Sequence, residues 1–437
     1  MSDSAPSVEL SSIDLLNIKA PVQHSIVDSK YELYYPIAGV DNSEIEFIIT
    51  NSGDWFIDLF NSVLELAYRI KKENGDNLDA DDPVSTINYS GNTFFDVVCI
   101  WLNGVLISQT ENYAHRAIID VLMNCGRDAT ESWLQAGQFY KDDAGQMDNA
   151  NPSPTGANAP VNNGLKKRFQ KTTLSKLVTT KAKVHLDIFN QERHLINYVT
   201  IRIKLRKNKD EFCLMSSSDN ASYKLDLERV VFRIKKVKPS MKTINKYKKD
   251  NFIYPINRVH VKEHLVTAGG YDFNVDNFVV KNLPTKIVFG FITNNVRNGS
   301  YTLNPFNFKH SNISSFNLKI GNETINGEPL NFNFTDQNYL DGYLSLVECT
   351  GKKWNNEGLI INRDDYGNGY TLIAFDLSPT TADGVGQYRD PSQEGDLHIR
   401  VKFSQPILEP LVMIAYMVFE NEIIINPERV VTVDYKP

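Results

Sequence analysis

Hydrophobic and polar residues alternate along most of this chain, which is the spacing of half-buried β-strands rather than of helices. The alternating segments are rich in β-branched and aromatic residues, which pack well on a pleated sheet. They are EIEFII (44–49), FDVVCIWL (95–102), KVHLDIF (183–189), YKLDLERVVFRI (223–234), NRVHVKEHLV (257–266), TKIVFGFI (285–292), FNLKI (316–320) and TLIAFDL (371–377). The sequence therefore predicts an all-β protein.

Four segments depart from this alternation. YAHRAIIDVLMN (113–124) and YLDGYLSLVE (339–348) carry apolar residues at helical spacing, and we expect a short helix at each. Residues 142–164 and 378–395 are rich in Asn, Asp, Pro and Gly and contain few large apolar side chains. Because such segments have little to bury, we expect both to be long surface loops.

The same series of landmarks occurs twice along the chain. Both halves of the chain have the same order: a proline segment, a hairpin with a glycine turn, a helix, an aspartate segment and a strand with outward Arg and Lys. The pairs are YYPIAG (34–39) with IYPINR (253–258), IWLNGVLI (100–107) with LKIGNETI (318–325), the helices beginning at Tyr113 and Tyr339, HLDIF (185–189) with AFDLS (374–378), and VTIRIKLRK (199–207) with LHIRVKFSQ (397–405). Their separations change only where a low-complexity loop intervenes, and loops tolerate insertions. We therefore predict two tandem copies of one β-sandwich, each with about eight strands, the number in a jelly roll.

This duplication divides the chain into four predicted parts. They are an N-terminal arm (1–30), a first jelly roll (31–238) that includes the loop 142–164, a basic linker (239–252) and a second jelly roll (253–437). The boundary KKVKPSMKTINKYKKDN (235–251) is the most lysine-rich stretch of the sequence. Two interpretations of it stay open: a solvated linker with a short helix, or a salt-sensitive contact with nucleic-acid phosphates.

Composition narrows the class of protein. A chain of 437 residues can form two sandwiches with separate cores, and its net charge of −7 argues against a dedicated nucleic-acid binder. The longest apolar run, PLVMIAYMVF (410–419), is too short to span a bilayer and predicts a strand buried on both faces. Residues 1–12 lack the basic and apolar parts of a secretory signal. The four scattered cysteines, without CxxC spacing, indicate buried thiols in a reducing compartment: Cys99, Cys125, Cys213 and Cys349.

No pattern in the sequence identifies a catalytic, cofactor or metal site, and we expect that the protein is not an enzyme. His260 and His264 share one side of a strand, but no carboxylates or thiols nearby complete a metal-ligand set. His185 and His194 flank a turn, and all four histidines are interpreted as exposed residues without a metal. AGGYDF (268–273) is not followed by the helix and lysine of a phosphate loop. Two acidic pairs are interpreted as solvated loop residues: Asp81–Asp82 and Asp364–Asp365.

Six further segments carry a resemblance to a known family. They are SGDWFIDLFNSVLEL (52–66), ADDPV (80–84), NGLKKR (163–168), DEFCLM (210–215), GSYTLNPFNFKH (299–310) and RDDYGNGYTLIAFDLSP (363–379). Together they resemble the capsid proteins encoded by Polinton (Maverick) elements and by related adintovirus-like double-stranded DNA viruses. The resemblance extends from about Tyr31 to the end of the chain.

This resemblance implies a double jelly-roll major capsid protein of the adenovirus-like lineage. Three such chains bring six similar barrels around one axis, so the implied unit is a trimer with a pseudo-hexagonal outline. Its implied partners are neighbouring trimers of an icosahedral shell, a single jelly-roll penton protein and, weakly, packaged DNA. The implied location is a virion that assembles inside the host cell, with the long loops as towers on its outer surface.

Two other functions stay open at the level of the sequence. One is a β-sandwich enzyme or binding protein that acts on carbohydrate, for which a stripe of exposed tryptophans and paired carboxylates would be the signature. The four tryptophans are scattered along the chain: Trp55, Trp101, Trp133 and Trp354. The other is a minor capsid or spike protein, which the tandem duplication disfavours because vertex proteins of this lineage typically carry one barrel.

Overall fold

The first half of the chain forms a sandwich of two antiparallel sheets. The computed structural model describes residues 22–154, 159–246, 250–354, 356–380 and 390–433. The strands of this half are β1 (Ile26–Tyr34), β2 (Glu44–Ile49), β3 (Phe56–Lys72), β4 (Val84–Thr86), β5 (Phe95–Leu102), β6 (Val105–Thr110), β7 (Val178–Lys183), β8 (Ile201–Lys207), β9 (Leu214–Ser216) and β10 (Tyr223–Pro239). One four-stranded sheet has the order β1-β10-β3-β7, the other has the order β2-β8-β5-β6, and β4 pairs with β9.

The second half repeats this architecture. Its strands are β11 (Phe252–Val266), β12 (Asp272–Asn282), β13 (Lys286–Thr293), β14 (Ile313–Ile320), β15 (Glu323–Thr324), β16 (Leu330–Asn331), β17 (Leu372–Asp376), β18 (Glu394–Phe403), β19 (Leu411–Ile425) and β20 (Val431–Val433). The sheets have the orders β11-β19-β13-β17 and β12-β18-β14-β15, with β20 added to β19 and β16 added to β14. The eight strands in these two orders therefore correspond one to one with those of the first half, from β1 with β11 to β10 with β19, whereas β16 and β20 have no counterpart there. The prediction of two tandem jelly rolls is confirmed.

The repeated strand pattern marks equivalent positions of the two barrels. Strand β8 buries Ile201, Ile203 and Leu205, and its counterpart β18 buries Ile399, Val401 and Phe403. Arg202 and Arg400 lie between these residues and are exposed. The period of two thus directs alternate side chains into each core, as the sequence predicted. Strand β19 is buried on both faces from Leu411 to Met417, which is also as predicted.

Short helices connect the strands. They are α1 (Ser90–Thr93), α2 (Tyr113–Asn124), α3 (Arg127–Thr130), α4 (Asn163–Thr172), α5 (Asp210–Cys213), α6 (Met241–Lys246), α7 (Asn294–Arg297), α8 (Leu340–Cys349) and α9 (Arg363–Tyr366), with 3-10 turns at Trp133–Gly137, Thr173–Ser175 and Asp187–Phe189. The predicted helices α2 and α8 are confirmed. Sequence reasoning missed α4, whose start is capped by the Asn162 side chain, because it has few apolar residues at helical spacing. Within the described ranges, no helix has the length and apolarity needed to cross a bilayer.

Three details of the sequence interpretation are wrong. KVHLDIF (183–189) is not a strand, since β7 ends at Lys183 and the following residues form a buried crossing with a 3-10 turn. Asp187 and Asp376 are not equivalent, because Asp187 lies in that turn whereas Asp376 ends β17. Pro36 follows β1, but Pro255 lies inside β11. Local similarity of a few residues does not specify which strand they join. Residues 381–389 of the second predicted loop lie outside the described residues.

Candidate functional site: the buried junction between the two barrels

Helix α2 lies at the junction of the two barrels. Eleven of its twelve residues are buried, because one side packs on the first barrel and the other on the second. The His115 ring packs edge-on against Phe306, and its Nε2 donates to the carbonyl oxygen of Pro305 at 3.2 Å. Burial is the main cause that lowers the pKa of His115 to about 4, so the ring is neutral near pH 7.

Asp120 is the centre of a polar cluster in this junction. Its carboxylate accepts a hydrogen bond from the Tyr416 hydroxyl of the second barrel and lies 3.0 Å from His185 Nδ1. His185 Nε2 lies 3.0 Å from the Tyr89 hydroxyl. Burial acts to raise the pKa of Asp120, but His185 and Arg116 outweigh it and lower the pKa below its ordinary value. Burial, reinforced by Asp120, raises the pKa of Tyr416 well above its ordinary value, so Tyr416 remains a donor.

An ion pair beside this cluster holds the first strand of the second barrel. Arg116 Nη2 lies 2.6 Å from Asp187 Oδ1, and both side chains are fully buried. The same carboxylate oxygen accepts the backbone N–H of Val259 in β11 at 3.2 Å. In return, Arg258 of β11 donates to the carbonyl of Ile107 at 2.6 Å. Sequence reasoning treated Asp187 only as a repeat landmark, and a buried charge gives no local signal that distinguishes it from a surface charge.

A second polar cluster joins the predicted loop 142–164 to the second barrel. The buried Asp142 carboxylate pairs with Arg168 Nη2 at 2.7 Å and accepts from Asn304 Nδ2 at 3.0 Å. The Tyr370 hydroxyl donates to the Asp142 backbone carbonyl at 2.7 Å. Met147 is also buried. The surface-loop prediction is therefore wrong for the first part of this segment, which is anchored by hydrogen bonds rather than by a large apolar surface. Residues 155–158 lie outside the described residues.

The predicted acidic pairs have different environments. Asp364 is exposed, but Asp365 is buried, caps α9 together with Asn362 and pairs with Lys141 of the first barrel. Asp365 is thus a junction residue and not a solvated one. Asp82 accepts from the Tyr223 hydroxyl at 3.2 Å.

Comparison with known proteins shows which solved structures share this architecture. No protein-family model matches the chain. The uncharacterized protein F54H12.2 of Caenorhabditis elegans is 23% identical over 357 residues, which cover 77% of this chain and 81% of that protein. A chain of the Sputnik virophage structure matches with a TM-score of 0.64 and 14% identity, over 100% of this chain and 96% of that one. The mavirus major capsid protein matches with a TM-score of 0.57 and 11% identity, over 99% and 95%. The Faustovirus major capsid protein has a TM-score of 0.55 and 10% identity, over 94% and 93%.

The fold is a double jelly roll. Since these structures match nearly the whole chain, the likeness includes the arrangement of the two barrels as well as each barrel alone. The residues that fix this arrangement in the present double jelly roll are those of the two junction clusters.

The interpretation of the four histidines as exposed is wrong, because His185 is buried in the junction and the other three are partly buried. The His260 ring lies edge-on to Phe419, and the His264 ring stacks on Phe273. Burial lowers the pKa of both rings. Among the described residues, no group of three or more His, Cys, Asp or Glu side chains is arranged to hold a metal ion.

The lysine-rich boundary of the double jelly roll is partly neutralised by carboxylates. Lys235 pairs with Asp58 at 3.1 Å, and Lys236 pairs with Glu32 at 2.6 Å. Helix α6 occupies part of this boundary, whereas residues 247–249 lie outside the described residues.

The four cysteines and four tryptophans are dispersed over the fold. All four cysteines are free; Cys213 and Cys349 are buried, and Cys99 and Cys125 are half-buried. Trp133 and Trp354 are exposed. Three of the tryptophans lie beneath cations: Trp55 beneath Lys30, Trp101 beneath Arg202 and Trp354 beneath Lys353.

Proposed function

We propose that this protein is the major capsid protein of a double-stranded DNA virus or virus-like transposon. The observation that carries the proposal is the joining of two jelly rolls, in one chain, by a buried polar junction. A subunit with two similar barrels in a fixed relation suits a shell, because three copies present six similar barrels to six neighbours. The mavirus major capsid protein, which this chain matches over almost its whole length, supports the same function.

The proposed unit of assembly is a pseudo-hexameric trimer, which tiles an icosahedral shell inside the host cell. Such a shell also has fivefold positions, which a pseudo-sixfold unit does not fit, so we propose a single jelly-roll penton protein as a partner. The role is structural and involves no catalytic activity. In the first barrel, β1 begins at Ile26 and so shortens the predicted arm. We propose a linker at residues 239–252, whose end residues Pro239 and Phe252 are the last residue of β10 and the first of β11, followed by the second barrel at 253–437.

The finer assignment to the Polinton (Maverick) group is supported by where the resembling segments lie. Segment 299–310 supplies Asn304 and Pro305 to the junction, and segment 363–379 supplies Asp365 and Tyr370. The resemblance therefore concerns the contacts that set the two barrels relative to each other.

Light scattering coupled to size exclusion, with negative-stain microscopy, tests the proposal. We expect a trimer of about 149 kDa, three times 49.6 kDa, with hexagonal outlines or shells in the images. A monodisperse monomer at micromolar concentration would contradict the capsid function and favour the carbohydrate-directed alternative.

The proposed contact with packaged DNA has its own test. Duplex DNA should bind weakly and dissociate as salt rises, because phosphate contacts release counterions. Changing Lys246, Lys248 and Lys249 to Gln should reduce the dependence of binding on salt. An unchanged salt dependence would remove the boundary lysines from the contact and leave a solvated linker.

A further inference from the structure

The two barrels of one chain contact each other through helix α2. Helix α2, which lies between β6 and β7 of the first barrel, packs on the outer face of sheet β11-β19-β13. Tyr416 lies on that face beside Val288, its cross-strand neighbour, and donates to Asp120 of α2. Ile414 and Val259 of the same face are buried. The outer face of the second barrel is thus covered within the chain.

Within the described residues, no helix or strand of the chain covers the corresponding outer face of the first barrel. On sheet β1-β10-β3, Leu33 pairs with Arg233 and Tyr31 pairs with Lys235, so these four side chains lie on one side of the sheet. The adjacent pair Tyr34 and Phe232 points to the opposite side, where Phe232 packs in the core. Tyr31 is 53% exposed and Leu33 is 39% exposed. We call this surface, with Phe60 beside it, the open sheet face.

Helix α8 of the second barrel, the counterpart of α2, also has an exposed apolar side. Helix α8 lies between β15 and β17, as α2 lies between β6 and β7. It packs on its own barrel through Leu346 and through Ser345, which donates to a carbonyl of β17. Leu340 and Leu344, one helical turn apart, are 42% and 36% exposed. With Glu348 they form a stripe that we call the open helix face.

The two open faces have complementary charge. On the open sheet face, Lys181, Arg229 and Arg233 share the single carboxylate of Glu65, which leaves an excess of positive charge. The open helix face carries exposed Asp341 and Glu348 beside its leucines. Glu348 pairs with Lys353 of the same chain, so the acidic charge of this face is carried mainly by Asp341. The apolar side chains of the open sheet face are therefore bordered by positive charge, and those of the open helix face by negative charge. Such complementary charge is typical of a specific interface.

We propose that the open helix face of one copy packs on the open sheet face of the next copy, and that three such contacts close a ring. This inference rests on the proposed function and names the surfaces that the trimer uses. The contact is head-to-tail, since the two faces differ, and a ring of three satisfies both faces of every copy. In this ring, α8 of one copy contacts the first barrel of the next copy in the same way that α2 contacts the second barrel within each copy.

Two double variants test the contact. One changes Tyr31 and Leu33 to Glu on the open sheet face, and the other changes Leu340 and Leu344 to Glu on the open helix face. Each variant alone should be a monomer of about 50 kDa by light scattering, while the wild type is a trimer of about 149 kDa. An equimolar mixture should give dimers of about 99 kDa, because one intact helix face meets one intact sheet face but no ring closes. The matched control, Leu408→Glu at a residue that is 90% exposed, should remain a trimer.

The outcomes separate this inference from the proposed function. Trimers in both double variants, or a mixture that stays monomeric, would overturn the contact and leave the capsid function standing. A wild type that is itself a monomer would contradict the capsid function. A cooperative melting transition should show that both variants fold, since the substituted side chains are exposed in the single chain. Its midpoint should lie below that of the wild type, because association stabilises the folded chain.

Discussion

The Tyr416 hydroxyl of the second barrel donates a hydrogen bond to the carboxylate of Asp120, which lies 296 residues earlier in the chain. Both groups are buried, and each depends on the other. Asp120 needs donors to remain ionised inside the protein, and Tyr416 needs an acceptor for its hydroxyl. The pair therefore favours one relative position of the two barrels over positions that would leave either group unpaired.

Tyr416→Phe should destabilise the protein because it removes one donor from a buried carboxylate. We expect a loss of about 1–3 kcal/mol in the free energy of unfolding, the cost typical of a buried polar group that loses a partner. Urea denaturation followed by fluorescence measures it. The matched control is Tyr271→Phe, at an exposed tyrosine, which should leave the midpoint unchanged. Equal effects of both substitutions would mean that the junction hydrogen bond does not contribute.

Arg116→Met should have a larger effect, because it leaves the carboxylate of Asp187 buried without its ion-pair partner. Breaking a buried pair in this way typically costs about 3–5 kcal/mol. Denaturant midpoints compare this variant with Arg206→Met, which breaks the exposed pair with Asp96 and should cost less than about 1 kcal/mol. If the two variants unfolded at the same denaturant concentration, the buried ion pair would not hold the junction.

Acid should weaken the junction through His115. Burial lowers the pKa of His115 from its ordinary 6.5 to about 4 in the folded protein. The unfolded chain therefore binds a proton in a pH range where the folded chain does not. The contribution of neutral His115 to the free energy of unfolding is therefore complete above pH 6.5 and is lost as pH falls towards 4. This contribution is about 3 kcal/mol in total.

The measurement is the melting temperature of the wild type and of His115→Phe between pH 4 and 8. Phe keeps an aromatic ring between Phe212 and Phe306 but does not titrate. The stability of the wild type relative to the variant should decrease as pH falls below 6.5. A constant difference over the whole range would contradict the assignment.

The loop at 142–164 should prove essential in its first part. Because Asp142 and Met147 are buried and Arg168 depends on Asp142, replacing residues 142–150 by a Gly/Ser linker should abolish most soluble expression. Asp142→Asn, which keeps the shape but removes the charge, should lower the melting temperature by several degrees. The control is a variant in which a Gly/Ser linker replaces residues 151–154 only. Normal melting after replacement of 142–150 would restore the interpretation of a surface loop.

The strands and the two helices follow from local patterns, and the sequence alone indicated them. A period of two in the apolar residues requires only that one side of a strand be buried, whatever covers it. The duplication was visible for the same reason, since Ile201 and Ile399 lie in strands with equal alternation. Helix α4 was missed because its stability comes from its cap and from the buried Arg168 rather than from an apolar stripe.

The junction depended on the tertiary structure. Asp120, Asp187 and Asp142 look in the sequence like any surface acid, because the energy of a buried charge depends on partners that are distant along the chain. Only the packing of one barrel on the other brings Tyr416 to Asp120 and Val259 to Asp187. The same packing covers α2 but leaves one side of its counterpart α8 exposed. The two helices differ in this way because a chain with two barrels contains only one junction between them, and α2 lies in that junction.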